Sequence, residues 1–296
     1  MSYHCDVPDK SLHVMKIRPI AKSLGAEVID AQLVNMDEQT YFSVEKAFSR
    51  YLVLCFRDQH LEPRDLINLA EKFGGVGETP YLAGLEDYPD VVPIVKEANE
   101  KSHHTFGSGW HTDFTFQKKP PARTLLYALD VPPRGGDTLF ANLQDAYDSL
   151  SVGMQESLSR LRALHSSVRS YGPSAKLKNH LENMTITNEK EEPCFESHPV
   201  IRKHPLSGKP SLWINPTYTI KFDGMTDQES QPLLDYLNSV IVEERFRCRI
   251  AWKKNSLVMW DNRCTQHSAS SDYAGHRREM WRITTAGDTP TNFVQV

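Results

Sequence analysis

Hydrophobic spacing divides the chain into a mixed first third and a strand-rich remainder. Residues 38–51 place Tyr41, Val44, Phe48 and Tyr51 at the period of a helix with one apolar face, and Asp37 stands where an N-cap belongs. Leu52-Val-Leu-Cys-Phe56 is an unbroken apolar run of the length of a buried strand. Pro63 suits the first turn of a second helix, which Phe73-Gly74-Gly75 ends.

From about residue 110 the spacing shortens to that of strands. His111–Phe116, Arg123–Val131, Asp137–Ala141, Ala163–Ser167, Pro199–Lys203, Ser211–Asn215, Phe246–Trp252, Ser256–Trp260 and Glu279–Thr285 are short β-like runs. Gly, Pro, Asn and Asp punctuate them, which predicts an antiparallel sandwich or barrel. One helix interrupts: Thr226-x-x-Glu229 has the form of a capping box, and Leu233, Leu234, Leu237, Val240 and Ile241 follow on one face. Pro232 conflicts with that start, so the regular helix is expected nearer to it. Residues 74–109 and 172–198 lack a period and read as long loops, either lids over a site or solvated excursions. No repeat or linker is visible, so residues 1–296 read as a single domain.

Composition narrows the function. A net charge of −4 with no long basic block argues against nucleic acid as a partner. No stretch approaches the roughly 18 apolar residues of a membrane span, and MSYHCDVPDK lacks a signal-peptide core. The five cysteines are scattered and never form CxxC, which fits neither a disulfide framework nor a zinc–cysteine site and predicts a reducing, cytoplasmic setting. Twelve histidines leave nitrogen and oxygen as the donors available to a metal.

Within Trp110-His-Thr-Asp113, strand geometry would turn His111 and Asp113 to one face, where imidazole and carboxylate can share a metal. That spacing is weak by itself: chance supplies about one His-x-Asp in such a chain, and His4-Cys5-Asp6 is another. Near the C-terminus, Trp260-Asp-Asn-Arg-Cys-Thr-Gln-His267 precedes Arg277-Arg-Glu-Met-Trp-Arg282 and Gly287-Asp288. On a strand, Arg278, Met280 and Arg282 share a face. Two inward guanidiniums need anions to meet them, and the arginine fork suits carboxylate or sulfonate. A solvated strand face is the other reading of these arginines.

Four stretches, WHTDFTF at 110–116, PPRGGDTLF at 132–140, HPVIRKHPLSGKPSLWINP at 198–216 and WDNRCTQH…HRREMWR…GD at 260–288, carry a family resemblance. The chain resembles the taurine/2,4-dichlorophenoxyacetate dioxygenase family of Fe(II)- and 2-oxoglutarate-dependent oxygenases, with the motifs in family order and the likeness weaker before residue 50. The resemblance implies a mainly β fold with flanking helices around a double-stranded β-helix (jelly-roll, cupin-like) core. It implies hydroxylation of a C–H bond in a small anionic substrate (sulfonate, sulfate ester or aryloxy acid), consuming 2-oxoglutarate and O2 and releasing succinate and CO2. A homodimer or homotetramer is also implied.

By the same resemblance His111, Asp113 and His267 bind Fe(II), and Arg278 with Thr138 holds the remote carboxylate of 2-oxoglutarate. Arg282 matches the position that meets the substrate's anionic end, and Tyr218, Ser170 and Tyr171 match positions lining the substrate pocket. Two departures bear on the substrate: Thr79 stands where taurine-specific members have histidine, and Gly107 where they have asparagine. Contacts to an amino end are thereby lost, unless His103 or His104 replaces them from the same loop. Asp113 argues against halogenation, which in related folds requires that carboxylate to be absent. A zinc hydrolase using the same three ligands is the rival enzyme reading, although no HExxH stands beside either histidine. A non-catalytic β-sandwich binding module is the rival outside enzymes.

Overall fold

A computed structural model describes residues 15–171, 175, 182–187 and 193–293. The His4–Asp6 pair and most of 172–198 lie outside these residues. The first elements are β1 (Lys16–Pro19), β2 (Ala26–Ile29), α1 (Glu38–Tyr51), β3 (Val53–Phe56), α2 (Pro63–Lys72) and β4 (Val92–Lys96). Next come β5 (Arg123–Asp130), β6 (Thr138–Asn142), α3 (Leu143–Asp148), α4 (Val152–Leu158), β7 (Arg162–Ser166) and α5 (Val168–Tyr171). The chain continues through β8 (Phe195–Pro199), β9 (Ile201–Lys203), β10 (Pro210–Leu212), β11 (Thr219–Phe222) and α6 (Asp227–Ile241). It ends with β12 (Arg247–Ile250), β13 (Leu257–Asp261), β14 (Thr265–Ala269), β15 (Arg278–Thr284) and β16 (Thr291–Asn292).

Seven strands form the principal sheet in the order β1-β2-β3-β13-β5-β15-β4, parallel only between β2 and β3. A second sheet, β12-β6-β14, supplies the facing layer of the barrel. Two smaller antiparallel sheets, β11-β7-β8 and β10-β9-β16, extend the β architecture.

Both faces of the principal sheet are covered. On the outside, Val44, Ala47 and Phe48 of α1 and Leu66, Leu69 and Ala70 of α2 pack against Leu54, Phe56, Leu125, Tyr127, Leu257 and Met259. Burying Val44 and Phe48 in this way contributes about 1.5–3 kcal/mol each. On the inside the alternate residues Val53, Cys55, Leu126, Ala128, Val258, Trp260 and Met280 meet Phe140, Cys248, Ile250 and Trp252 of the facing layer. That interior is where the site lies.

Helix α1 has the predicted bounds, with Asp37 accepting from the Thr40 amide. α2 starts at Pro63 as expected. α6 differs from expectation: it begins at Asp227 and carries Pro232 inside. The Thr226–Glu229 box is formed in both directions, and burial of Leu234, Leu237, Val240 and Ile241 holds the remainder. The carbonyl that loses its partner to Pro232 belongs to exposed Gln228, where water can serve it. A second difference is β4, inside the stretch read as loop. Pro93 disguises it, and because β4 is an edge strand paired only to β15, the missing N–H is tolerated. Among the described residues no helix is long and apolar enough to cross a membrane.

Candidate active site

His111 and His267 face one another through a pair of reciprocal backbone hydrogen bonds: His111 N to His267 O at 3.0 Å and His267 N to His111 O at 2.8 Å. Their rings lie 4.1 Å apart between centroids. The stretch around His111 is not the predicted strand. Beyond the His111–His267 bridge the chain turns, with Phe114 at φ 47° and the Gln117 amide closing onto the Phe114 carbonyl. Asp113 thus reaches the histidines through a turn rather than a pleat. Its Oδ1 stands 3.7 Å from Nε2 of each histidine, and all three side chains are buried.

Electrostatics favour a ligand-ready state. Burial would push the Asp113 carboxyl up, but Arg282 and the two imidazoles outweigh it and hold the group well below the usual carboxylate range. Burial pushes both histidines down, His267 strongly, so their rings are neutral donors near pH 7. His111 Nδ1 lies 2.9 Å from the Gly109 carbonyl, which leaves Nε2 as the donor aimed at the site. Two neutral imidazoles and one ionised carboxylate, with ligand atoms within 4.8 Å of one another, form a donor set that suits a divalent transition metal.

The predicted common face of β15 is present: Arg278, Met280 and Arg282 are buried, while Glu279 and Trp281 between them are only half-buried. Arg278 is 3 % exposed, yet its Nε and one terminal nitrogen lack a hydrogen-bond partner. Burial also pulls its guanidinium below its ordinary value. A charge so placed requires an anion. Thr138 is delivered to the same cavity by a turn in which Gly135 and Gly136 adopt φ of 77° and 67°, a region open to glycine. His111, Asp113, Thr138, His267, Arg278 and Arg282 all line this one cavity.

Arg282 brings a terminal nitrogen to 2.8 Å from Asp113 Oδ1, a close ion pair without an aligned hydrogen bond, and lies 4.7 Å from the Phe114 ring. Beyond it Tyr81, Phe114, Phe116, Tyr171 and Tyr218 form one buried aromatic group. Tyr81 stacks on Tyr171 at 4.8 Å, and Phe116 meets Tyr218 edge-on at 5.0 Å. Burial pushes the Tyr171 phenol up to about 12 and Tyr218 well up, so both remain uncharged; they hydrogen-bond to each other. Ser170 is half-buried on α5. Thr79 is half-buried with its hydroxyl 3.4 Å from that of Thr284, and it does not line the cavity, whereas Gly107 does. His103 and His104 are exposed and do not line it either.

Three participants had no sequence assignment. The Trp252 indole donates to Thr138 Oγ1 at 3.0 Å and lies 5.8 Å from the Arg278 guanidinium. Thr124 donates to Asp113 Oδ2 at 2.6 Å, and Asn262 donates to Thr124 at 2.8 Å. A hydroxyl amid the apolar run of β5 was the available signal for Thr124.

A second donor group, His204, Asp261 and Cys264, is equally buried. Its carboxylate is already held in a fork by Arg263, at 2.8 and 2.6 Å, and accepts from His204 at 3.0 Å. Burial keeps Cys264 a thiol. This is a satisfied ion-pair network rather than an open metal site.

The jelly-roll interior gathers two histidines, a carboxylate and an unpaired arginine in one cavity, a donor set suited to a divalent metal beside a small anion. A family model described as taurine catabolism dioxygenase TauD, TfdA family, matches residues 16–284. An alpha-ketoglutarate-dependent sulfate ester dioxygenase from Pseudomonas putida is 29% identical over 284 residues, covering 93% of this chain and 91% of its own. An alpha-ketoglutarate-dependent 2,4-dichlorophenoxyacetate dioxygenase from Burkholderia sp. (strain RASC) is 31% identical, with 82% and 84% covered. Among solved structures, AAD-2 in complex with Mn(II) and N-oxalylglycine superposes with a TM-score of 0.74 at 28% identity, covering 94% of this chain and 99% of its own. The chain belongs to the TauD, TfdA family. It is an enzyme of the 2-oxoglutarate-dependent dioxygenase kind with a jelly-roll core.

Proposed function

We propose that His111, Asp113 and His267 hold Fe(II), that Arg278 and Thr138 hold the remote carboxylate of 2-oxoglutarate, and that Arg282 receives the anionic group of an organic substrate with an apolar body. The observation that carries the reading is Arg278: a buried guanidinium with two unpartnered nitrogens, in the same cavity as the His/Asp/His group. A zinc hydrolase gives that arginine no role. The relative bound to Mn(II) and N-oxalylglycine supports the same assignment.

Ferrous iron, when bound, supplies the redox chemistry by which O2 converts 2-oxoglutarate to succinate and CO2 while one oxygen atom enters a substrate C–H bond. The protein's own share is positioning. His111, Asp113 and His267 would supply three of the metal's ligands, and the cavity they share with Arg278 and Thr138 would admit the co-substrate beside it. Thr138 receives the Trp252 N–H, so its own hydroxyl proton is free to donate to a carboxylate. Arg282 fixes which substrate carbon faces the metal, where small misplacements carry large rate penalties. The aromatic group beyond Arg282 excludes water and receives an alkyl or aryl body. Thr79 and Gly107 offer little to an ammonium end, which favours alkyl sulfates, alkylsulfonates or aryloxy acids over taurine.

Two measurements test this. Anaerobic Fe(II) with 2-oxoglutarate should give a weak visible charge-transfer band. In air, a panel of alkyl sulfates, alkylsulfonates, aryloxy acids and taurine should raise succinate release most for the anions with apolar tails. Zn(II)-dependent hydrolysis of the same compounds without 2-oxoglutarate would overturn the reading.

A further inference from the structure

Thr124 lies on β5, outside every motif of the site, yet it makes the shortest directed contact to Asp113: Oγ1 to Oδ2 at 2.6 Å. The direction of that hydrogen bond is fixed from behind. The Trp260 indole can only donate, and it donates to Asn262 Oδ1 at 3.0 Å. That sets the Asn262 amide with Nδ2 toward Thr124, to which it donates at 2.8 Å. Thr124 therefore accepts from Asn262, and its single proton goes to Asp113. The four side chains are all buried, at 3 % exposure or less, so no water competes for these bonds.

The carboxylate has two oxygens, and only Oδ1 faces both histidines, at 3.7 Å from each Nε2. Oδ2 is the oxygen taken by Thr124. A carboxylate rotates easily about its terminal torsion, and a free one can present either oxygen or both. We propose that Thr124, oriented by Asn262 and Trp260, is a positioning residue that holds the Asp113 carboxylate with Oδ1 toward the histidines, so that Asp113 would offer a metal one oxygen rather than two. This rests on the metal reading above. Thr124 touches neither metal nor substrate; it acts through Asp113.

The test compares Thr124→Val, which keeps the shape and removes the hydroxyl, with Thr124→Ser, which keeps the hydroxyl. Binding of Mn(II), an air-stable probe, is measured calorimetrically on apo protein beside apo thermal midpoints. The anaerobic Fe(II)–2-oxoglutarate band and the ratio of succinate released to substrate oxidised are recorded for each. Thr124→Val should bind Mn(II) about 10- to 100-fold more weakly, the range for loss of a group that orients a metal ligand, with a shifted band and excess succinate. Thr124→Ser should restore affinity, band and ratio. If Thr124→Val does not accumulate folded, Thr124→Cys, close in size with a weak donor, takes its place. Unchanged Mn(II) affinity and band in the hydroxyl-free variant would overturn the inference. So would equal losses in Thr124→Ser, which would make the role one of packing. Failure of the unsubstituted protein to bind Mn(II) would instead overturn the metal reading itself.

Discussion

The indole of Trp252 donates to Thr138 at 3.0 Å while its ring lies 5.8 Å from the guanidinium of Arg278, so one side chain steadies both groups assigned to the 2-oxoglutarate carboxylate. Trp252→Phe keeps a ring under the arginine but frees the Thr138 hydroxyl to rotate. The KM for 2-oxoglutarate should rise about 3- to 10-fold, the worth of one neutral hydrogen bond, with Mn(II) affinity unchanged. An unchanged KM would remove Trp252 from this role.

The two buried arginines should separate cleanly by ligand. Arg278→Ala should weaken 2-oxoglutarate by about 100-fold, because a charge-assisted fork is lost in a desolvated site. Arg282→Ala should instead raise the KM of the organic anion and leave 2-oxoglutarate binding largely intact. If 2-oxoglutarate affinity collapses in Arg282→Ala, the two assignments are exchanged.

Replacing His111 or Asp113 by alanine should abolish succinate formation, since two donors cannot hold the metal with the needed open geometry. Persistent turnover in either variant would place the metal elsewhere.

Acid should destabilise the fold through His198. Its ring is buried beside Trp213, with Nε2 3.0 Å from the Gln117 carbonyl, and burial pulls it from 6.5 to about 4. Between those values the unfolded chain binds the proton and the folded chain does not, so stability falls as pH drops from about 6.5 toward 4. The loss from this group is on the order of 3 kcal/mol at full effect. Thermal midpoints measured from pH 7 to 4 should show the decline, and His198→Asn should lessen it by this group's share, the remainder belonging to buried His111, His165 and His267. A midpoint that rises on acidification would contradict the assignment.

Much of this was legible in the sequence where the information is local. The period of residues 38–51 defines α1, and strand alternation puts Arg278 and Arg282 on one face, which the fold turns inward rather than to solvent. Residues 111–116 misled because His-x-Asp has the same spacing on a strand as on the turn that Phe114 makes. Thr79 rests on motif correspondence alone, and the fold sets its hydroxyl against that of Thr284, a contact the sequence does not signal. Trp252 and Thr124 were invisible for a different reason. Their partners Thr138 and Asn262 lie 114 and 138 residues away, and no local period encodes a contact made only when strands assemble.

The backbone bridge between His111 and His267 has a consequence for the life of the enzyme. Two segments 156 residues apart in the sequence are joined by backbone hydrogen bonds that need no metal, so the fold itself holds the proposed ligands His111 and His267 together. Chelation should silence the protein without melting it, and a fresh ion should revive it without refolding. With His111, Asp113 and His267 holding iron as proposed, its oxidative loss would be a reversible lapse that fresh Fe(II) repairs, whereas a redox-inert divalent ion would only block the site.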